Sequence, residues 1–357
     1  MTTHLRPNDR VAVIGGSGFI GSHVIPALVG AGHEVLNYDL FDAEHRLPDE
    51  VTDVRADLRD TATLTRALAG CDAVLNLAAA HHDFGLTPAT FDSVNVGGAR
   101  SLVRALEHHR IDNLCFYSSV AVYGDHCTRP DESTPGRPVN DYGRTKLEAE
   151  GVYRTWRDGD VGRRLLTIRP AVVFGPRNYA NVFRMIHQIS RRRFYPVGPG
   201  INRKSMIYVD NIVAAIMHLW TAPENREVLG EEVDEIYNCV DQPDLASREI
   251  IAHVYRALGR RVPRGHLPLG PMVLAAKPVD AIAALTGKNL PITSARIAKL
   301  GEAETSFAAD RIRRTGYQQP VTLAQGLEWM VQWYQTQSGV KPIEHLPPQE
   351  PVIAPAP

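Results

Sequence analysis

Tyr142 and Lys146 have the spacing of two groups that can act together on one proton. They are four residues apart at the start of a predicted helix that follows the loop 130–141, so both side chains lie on one helix face. A lysine ammonium beside a phenol is expected to lower the pKa of the phenol. The tyrosine can then take a proton from a substrate hydroxyl, or return one, near neutral pH. The pair therefore predicts acid–base chemistry at an alcohol or ketone.

Ser119 is the candidate third member of this catalytic group. It follows Ser118 at the end of the apolar run Leu114–Ser118, which is typical of a buried strand. Ligands of open α/β sheets bind outside the carboxyl ends of the strands, so a hydroxyl here can orient the reacting group for Tyr142. The alternative is a serine that hydrogen-bonds its own loop.

A glycine-rich turn near the N-terminus predicts binding of a dinucleotide. Gly15, Gly18 and Gly21 open a helix directly after the strand Val11–Ile14. The first glycine permits a tight turn, the second lets the backbone approach a pyrophosphate, and the third lets helix and strand pack closely. The free N–H groups of the helix start then face the phosphates. Within this turn Phe19 and Ile20 are also expected to contact the cofactor.

The residue at the end of the second predicted strand indicates which dinucleotide binds. Asp39 lies eighteen residues after Gly21, where a carboxylate can accept both ribose hydroxyls. A carboxylate repels a 2′-phosphate, and the next five residues contain no arginine. These observations favour NAD over NADP. Asp57, after the third strand, is predicted either to meet the adenine or to be a plain turn residue.

Strand and helix patterns alternate through the first half of the chain, which predicts an α/β fold with a doubly wound parallel sheet. The predicted strands are Val11–Ile14, Glu34–Tyr38, Val54–Asp57, Ala73–Leu77, Leu114–Ser118 and Leu165–Ile168. The pattern loosens after Gly175. We therefore predict a Rossmann domain over 1–175, a smaller substrate-binding domain over 176–335 whose strands return to the first sheet, and a proline-rich disordered tail over 336–357. A helical cap is expected near 265–300.

Composition excludes several classes of function. The chain of 357 residues has 44% apolar and 22% charged residues and a formal net charge of −1, which gives no reason to expect a nucleic-acid partner. Its four cysteines form no Cys-x-x-Cys pair and no zinc spacing, so we expect no metal site. The N-terminus lacks a secretory signal, and no apolar stretch is long enough to span a bilayer. We expect a cytoplasmic enzyme.

Taken together, the motifs resemble the extended short-chain dehydrogenase/reductase family, which contains nucleotide-sugar epimerases, dehydratases and 3β-hydroxysteroid dehydrogenases. The resemblance covers about residues 10–335. It depends on Gly15-x-x-Gly18-x-x-Gly21, Asp39, Asp57-Leu58, Asn76-Leu-Ala-Ala, Asn95-Val-x-Gly, Ser118-Ser119-x-x-Val-Tyr-Gly, Tyr142-x-x-x-Lys146, Arg169-Pro170 and Tyr208-Val-Asp210. It implies a Rossmann domain for NAD, a smaller C-terminal substrate domain, and a homodimer made by the helices near 95–110 and 142–157.

The resemblance also assigns roles to individual residues. Those expected to contact NAD, besides the glycine turn and Asp39, are Asp57, Leu58, Ala78, Ala79, Asn95, Ser118, Tyr142, Lys146 and Pro170. Those expected to contact the substrate are His81, His82, Ser119, Asn181, Arg203 and Lys204. Family members place an arginine on the substrate diphosphate; here Lys204 aligns with it, and Arg203 is the alternative. For His81 and His82 the expectation comes from their place after the fourth predicted strand, at the functional edge of the sheet. One of them is either a substrate contact or a second proton carrier, or both are loop histidines bonded to the backbone.

One departure from the family pattern narrows the reaction. The 4,6-dehydratases carry an Asp-Glu pair directly after the serine or threonine of the catalytic strand, and decarboxylating members carry a single glutamate. This chain has Val120 and Ala121 there, which argues against both reactions. We therefore predict 4-epimerisation of a nucleotide sugar, with hydride removed from C4 and returned to the other face. The alternatives are an NAD-dependent dehydrogenase or reductase of a sugar nucleotide or sterol-like alcohol, and a nicotinamide-sensing regulator.

Overall fold

The structure is a computed structural model. It describes residues 4–43, 45–82, 85–125, 127–222, 234–286, 294, 304–337 and 347–353.

Seven parallel strands form the central sheet. In chain order they are β1 (Arg10–Ile14), β2 (Glu34–Asp39), β3 (Thr52–Arg55), β4 (Ala73–Asn76), β5 (Asn113–Tyr117), β6 (Arg164–Pro170) and β10 (Glu235–Cys239). Their spatial order is β10-β6-β5-β4-β1-β2-β3. β2 and β3 are added on one side of β1 and β4 on the other, so the strand order reverses between β1 and β4. Open α/β sheets bind ligands at such a reversal, outside the carboxyl ends of the strands.

Four short strands and the helices complete the described fold. The strands β7 (Val172–Phe174) and β9 (Met206–Tyr208) pair in parallel, whereas β8 (Arg203–Lys204) and β11 (Leu245–Ala246) pair antiparallel. The helices are α1 (Gly21–Gly30), α2 (Thr61–Ala67), α3 (Pro88–Phe91), α4 (Gly98–His109), α5 (Asp141–Asp158), α6 (Asn181–Ser190), α7 (Val209–Thr221), α8 (Ser247–Ala257), α9 (Leu269–Thr286), α10 (Asp310–Arg314) and α11 (Leu323–Thr336).

Both faces of the sheet are covered, as the nearly continuous apolar composition of its central strands requires. Successive residues of β1 point to opposite faces. Val11 and Val13 pack into a core shared with α1, α6, α7, α8 and α11. Ala12 and Ile14 pack into a second core shared with α2, α4 and α5. The predicted doubly wound parallel sheet is therefore confirmed.

The third strand differs in its bounds from the sequence prediction. We predicted Val54–Asp57, but β3 spans Thr52–Arg55. This strand lies at the sheet edge with its side chains largely exposed, so no apolar run marks its bounds. β10 joins the sheet beside β6, with Tyr237 opposite Ile168. The second half of the chain thus contributes a strand to the first-half sheet, as expected for the substrate domain.

The end of the chain contacts the first half. We predicted disorder over 336–357, yet residues 347–353 lie against the end of β3. Arg59 donates to the carbonyls of Pro348, Gln349 and Glu350. The backbone N–H of Val352 donates to Asp57 Oδ2 at 3.0 Å. Extended proline-rich backbone has free carbonyls, which a buried guanidinium can satisfy. The rest of the predicted tail lies outside the described residues, apart from the end of α11 and Gln337.

The predicted helical cap begins as a helix, α9, and most of its second half lies outside the described residues. None of the helices that the structure describes combines the length and the apolar character needed to cross a bilayer.

Candidate active site

The glycine turn after β1 requires glycine at two positions for steric reasons. Gly15 has φ +82°, and a Cβ there would lie 2.6 Å from the backbone nitrogen of Ala78. A Cβ on Gly21 would lie 2.1 Å from the carbonyl oxygen of Gly16. At Gly18, by contrast, a Cβ would meet only the Gly15 carbonyl oxygen, at 3.6 Å. The turn is therefore closed behind Gly15 and Gly21 and open at Gly18, as a phosphate-binding turn must be.

Asp39 lies at the end of β2 beside this turn. Its carboxylate accepts the Ser17 N–H at 2.9 Å and the Phe41 N–H at 3.0 Å. Burial raises the pKa of Asp39, and the backbone N–H groups oppose that shift. The carboxylate is thus held rigidly at the position where the sequence predicts the ribose hydroxyls.

Asn37 supports the turn and was missed by the sequence analysis. It is fully buried in β2 and donates to Ser17 Oγ at 3.1 Å and to Asp53 Oδ1 at 2.8 Å. A Cβ on Gly16 would lie 2.3 Å from Asn37 Oδ1, so this glycine is also sterically required. The available signal was a polar residue inside an otherwise apolar strand.

Asp57 and Leu58 lie between the end of β3 and the start of α2. Asp57 is buried and pairs with Arg59 at 2.7 Å. Burial acts to raise the pKa of Asp57, but hydrogen bonds from Arg59 and from the Val352 N–H bring it below its usual value. Leu58 is also buried, and a Cβ on Gly98 would lie 2.7 Å from its side chain. The Leu58 side chain therefore packs against α4, so any contact with NAD is left to its backbone.

Asn95 holds the loop after β4. Its Oδ1 accepts the Ala80 N–H at 2.7 Å, and its Nδ2 donates to the Ala80 carbonyl at 3.1 Å and to Thr145 Oγ1 at 2.9 Å. Its amide therefore positions this loop against α5, and the predicted contact of Asn95 with NAD stays a prediction. A wide helical turn over Asp92–Gly97 aims the side chain, and such turns often mark functional sites.

The loop that Asn95 holds contains the other residues predicted at this strand end. The Ala78 N–H donates to Asn76 Oδ1 at 3.1 Å, and Ala79 follows directly. The rings of His81 and His82 lie 4.4 Å apart, and His81 Nδ1 is 3.2 Å from the Ala79 carbonyl oxygen. The bond to Ala79 agrees with the alternative in which a loop histidine is bonded to the backbone.

Tyr142, Ser119 and Lys146 converge at the ends of β5 and α5. The Asn140 side chain caps α5 by accepting the Gly143 N–H at 2.8 Å, which places Tyr142 in the first turn. Burial raises the pKa of Tyr142 to about 12, and a hydrogen bond with Ser119 opposes that shift. Ser119 also accepts the Ala121 N–H at 3.1 Å. Tyr142 and Ser119 therefore lie close enough for the serine hydroxyl to affect ionisation of the phenol.

Lys146 does not act on Tyr142 in the way that the sequence suggested. Its ammonium donates to the Tyr117 carbonyl at 2.6 Å and lies 4.6 Å from the centre of the Phe116 ring. Burial lowers the pKa of Lys146 to about 7, and the charge of Glu150 opposes the shift. The expectation that Lys146 lowers the pKa of Tyr142 is wrong for this structure, because burial dominates and Ser119 is the group that opposes it.

A buried ion pair beneath the catalytic group was also missed. Glu150 accepts Arg169 at 2.5 Å and the Ser118 hydroxyl at 2.5 Å. Arg169 also donates to the Tyr123 hydroxyl at 2.9 Å. Ser118 is fully buried, so its hydroxyl is committed to Glu150 and its predicted contact with NAD can involve only its backbone. The signal was in the sequence, because Tyr142, Lys146 and Glu150 recur every four residues.

The predicted substrate residues of the second half lie on other elements. Asn181 begins α6 and is exposed. Arg203 is exposed and donates to the Asp244 carbonyl at 2.5 Å, and Lys204 is half-buried beside Thr305. Pro170, which was predicted to contact NAD, ends β6 opposite Cys239 of β10. Among the described residues, no hydrogen bond or ion pair given for Asn181 or Arg203 reaches Tyr142 or Ser119. Nor do the described residues contain a group of side chains able to hold a metal ion.

Comparison with known proteins identifies the family. The model of the NAD-dependent epimerase/dehydratase family matches residues 11–239. An Escherichia coli O157:H7 protein, N-acetyl-alpha-D-glucosaminyl-diphospho-ditrans,octacis-undecaprenol 4-epimerase, is 38% identical over 327 residues, covering 91% of this chain and 95% of the relative.

Solved structures share the fold. The UDP-glucose 4-epimerase of Thermus thermophilus in complex with NAD has a TM-score of 0.70 and 21% identity, covering 93% of this chain and all of that one. Bacillus cereus UDP-glucuronic acid 4-epimerase in complex with NAD has a TM-score of 0.70 and 20% identity, covering 92% of this chain and 99% of that one. The predicted fold, the NAD cofactor and the NAD-dependent sugar-epimerase activity are confirmed: this chain belongs to the NAD-dependent epimerase/dehydratase family.

Proposed function

We propose that the chain is a redox-neutral 4-epimerase of a hexose carried on a diphosphate. The observation that carries the proposal is the position of Tyr142 beside Ser119, whose hydroxyl opposes the rise in the pKa of the phenol. The residues directly after Ser119 are Val120 and Ala121. The two side chains provide a proton relay for a hydroxyl. The two apolar residues provide no acid or base for eliminating water, although 4,6-dehydratases share the fold with a TM-score of 0.70.

The residues present fit NAD. The open side of Gly18 admits a pyrophosphate, and the rigidly held Asp39 carboxylate suits ribose hydroxyls and disfavours a 2′-phosphate. Lys146 would hold the nicotinamide ribose, as the family resemblance implies. When bound, NAD supplies the hydride acceptor for C4 and returns the hydride to the intermediate.

The protein's own residues move the proton and orient the sugar. Ser119, which lies beside Tyr142, holds the C4 hydroxyl through a hydrogen bond. Tyr142 takes the C4 hydroxyl proton as the base and gives it back to the C4 oxygen as the acid. For the first transfer Tyr142 must be in its phenolate form. Burial raises the pKa of Tyr142 to about 12 and so opposes this ionisation, whereas the Ser119 hydroxyl favours it. The buried Glu150–Arg169 pair keeps β6 and α5 in register beneath this relay.

The proposed sugar is N-acetylglucosamine, and its carrier is a polyprenyl diphosphate. The support is the E. coli relative, whose name gives that sugar and carrier and which this chain matches over 95% of its length. A nucleoside diphosphate is the second candidate carrier, because the Arg203–Lys204 segment resembles the diphosphate site of nucleotide-sugar enzymes. Asn181 and either basic residue would then bind the diphosphate, with His81 or His82 beside the sugar.

We further propose a homodimer in the cytoplasm, formed through α4 and α5. The support is the family resemblance, which implies a dimer made by these two helices. The molar mass measured by light scattering tests the proposal: twice the chain mass of 39.4 kDa is expected. A mass that equals one chain at micromolar concentration would argue against it.

The substrate proposal is tested by offering both carriers. We would incubate the purified protein, with no added nicotinamide, with UDP-N-acetylglucosamine, UDP-glucose and N-acetylglucosaminyl-diphospho-undecaprenol in detergent, and follow the anomeric signals by NMR. Conversion of the polyprenyl substrate to its 4-epimer, with slower or no conversion of the UDP-sugars, is expected. Preferred conversion of a UDP-sugar would show that the carrier is a nucleoside diphosphate and not a polyprenyl diphosphate. Turnover that needs added NAD or NADH would indicate a dehydrogenase or reductase.

A further inference from the structure

Two segments of the second half carry an unusual concentration of positive charge. Residues 181–201 and 250–279 contain nine arginines and lysines and no aspartate or glutamate. The whole chain, by contrast, has a formal net charge of −1. The charge is therefore distributed unevenly. The positive charge of these segments can attract an anionic partner, although the net charge of the whole chain is close to zero.

The two segments form one surface. Arg260 donates to the Ile189 carbonyl at 2.6 Å. The Gly198 N–H donates to the Leu267 carbonyl at 2.8 Å, and the Leu267 N–H donates to the Pro196 carbonyl at 2.8 Å. These bonds join the loop after α6 to the loop before α9. The exposed arginines of the two loops are Arg191, Arg192, Arg193, Arg261 and Arg264. We call this region, 191–201 with 260–277, the basic apolar surface.

The same surface exposes large apolar side chains. Tyr195 is 52% exposed, Ile201 63%, Leu267 36% and Leu274 64%. Leu274 lies on α9, whose first half contains Leu269, Met272 and Val273 and carries no charge before Lys277. An apolar helix start edged by arginines and a tyrosine is a composition suited to the interface of a bilayer, where the apolar groups enter the acyl boundary and the guanidinium groups meet phosphates.

We propose that the basic apolar surface docks on an anionic phospholipid bilayer. Charge complementarity favours this occupant over an acidic protein, since the apolar side chains stand among the arginines rather than in a separate patch. Each basic residue near an anionic surface strengthens binding by roughly fivefold, and the apolar side chains add the anchoring that charge alone lacks. The proposal does not depend on the proposed substrate, although a lipid-linked sugar would be presented at such a surface.

The test is sedimentation of the full chain with vesicles of phosphatidylcholine alone or with added phosphatidylglycerol. The wild-type protein should sediment with the anionic vesicles at least about tenfold more than with the neutral ones. The triple variant Arg191→Gln, Arg192→Gln and Arg193→Gln should lose most of this binding, and Leu274→Ser should weaken it. The matched control changes three exposed arginines of the first half, Arg46, Arg55 and Arg66, to glutamine and should bind like the wild type.

Several outcomes would overturn the proposal. They are equal sedimentation with both kinds of vesicle, no sedimentation with either, and the same loss of binding in the control as in the triple variant. A change of molar mass in Leu274→Ser without vesicles would show that a second copy covers the surface. Epimerisation in detergent, measured on the same variants, should remain unchanged. A failure of docking is thereby separated from a failure of the proposed function.

Discussion

The reaction centre and the proposed diphosphate site are built in different ways. The glycine turn, Asp39 and Ser119 are brought together because each follows a strand of one parallel sheet. Arg203 and Lys204 instead lie on a two-residue strand that pairs with another two-residue strand. The sheet topology places the first group, whereas the second depends on particular contacts between loops. In our proposal, the residues that perform the chemistry follow strands of the central sheet, whereas the residues that select the substrate lie on short strands outside it.

The supporting contacts show the same contrast. Tyr142 and Lys146 stand on a helix that is tied to the sheet by the buried Glu150–Arg169 pair, whose side chains are 2% and 5% exposed. Arg203 is exposed, and it donates to a single backbone carbonyl, that of Asp244. We therefore expect substitutions in the reaction centre to abolish activity or unfold the protein, and substitutions in the second half to change the affinity for substrate.

The largest effect is expected from Tyr142→Phe. Removing the phenol hydroxyl removes the acid–base group, so kcat should fall about 10³-fold while bound NAD is retained. Tyr195→Phe, which removes an exposed hydroxyl of the second half, is the control and should leave kcat unchanged. The measurement is epimerisation followed by NMR. A Tyr142→Phe protein that keeps most of the wild-type kcat would show that another group moves the proton.

The second largest effect is expected from Glu150→Ala, which should lower the free energy of unfolding. It leaves Arg169 buried without its carboxylate, and breaking such a pair costs about 3–5 kcal/mol. Glu148→Ala, on the same helix, removes an exposed partner of Arg144 and should cost at most about 1 kcal/mol. Urea denaturation measures both free energies of unfolding. Equal losses would mean that the buried pair is not what secures α5.

Two glycines of the first half give a sharper comparison. Gly21→Ala places a Cβ against the Gly16 carbonyl oxygen, so the backbone must shift and the free energy of unfolding should fall by about 1–3 kcal/mol. Gly18→Ala meets only one backbone oxygen at an ordinary distance, so the fold should hold while NAD binds more weakly. Thermal unfolding and the NAD content of purified protein separate the two effects. Similar melting temperatures in both variants would contradict this account.

Arg203→Ala is expected to act on binding alone. Removing an exposed guanidinium that we propose to bind the diphosphate should raise KM about tenfold with kcat nearly unchanged. Lys204→Ala serves as the comparison, and whichever variant has the larger effect identifies the basic residue on the diphosphate. An equal fall in kcat and kcat/KM would place Arg203 in the reaction centre instead.

The smallest effect is expected from deleting residues after Gln337. α11 ends at Thr336 and remains whole, so kcat should be unchanged. Loss of the contacts to Asp57 and Arg59 should lower the melting temperature by no more than about 2–4 °C. A large fall in kcat would show that the tail takes part in the reaction.

Much of the sheet and the reaction centre could be predicted because their signals are local. Apolar runs predict the strands, and the glycine turn and Tyr142-x-x-x-Lys146 carry their chemistry in their spacing. The roles of Asn95 and Ser118 could not be predicted, because their partners lie fifteen or more residues away along the chain. The effect of Lys146 on Tyr142 was misjudged for a related reason: the strength of burial is set by the packed fold.

The most direct test of the central claim follows the hydrogen at C4. N-Acetylglucosaminyl-diphospho-undecaprenol deuterated at C4 of the sugar would be converted in ordinary water with no added nicotinamide, and the product examined by NMR and mass spectrometry. We expect the 4-epimer to retain its deuterium at C4, because the hydride leaves and returns without meeting solvent. A 4-epimer that carries hydrogen from solvent at C4, or a released 4-ketosugar with an equivalent of NADH, would contradict redox-neutral epimerisation.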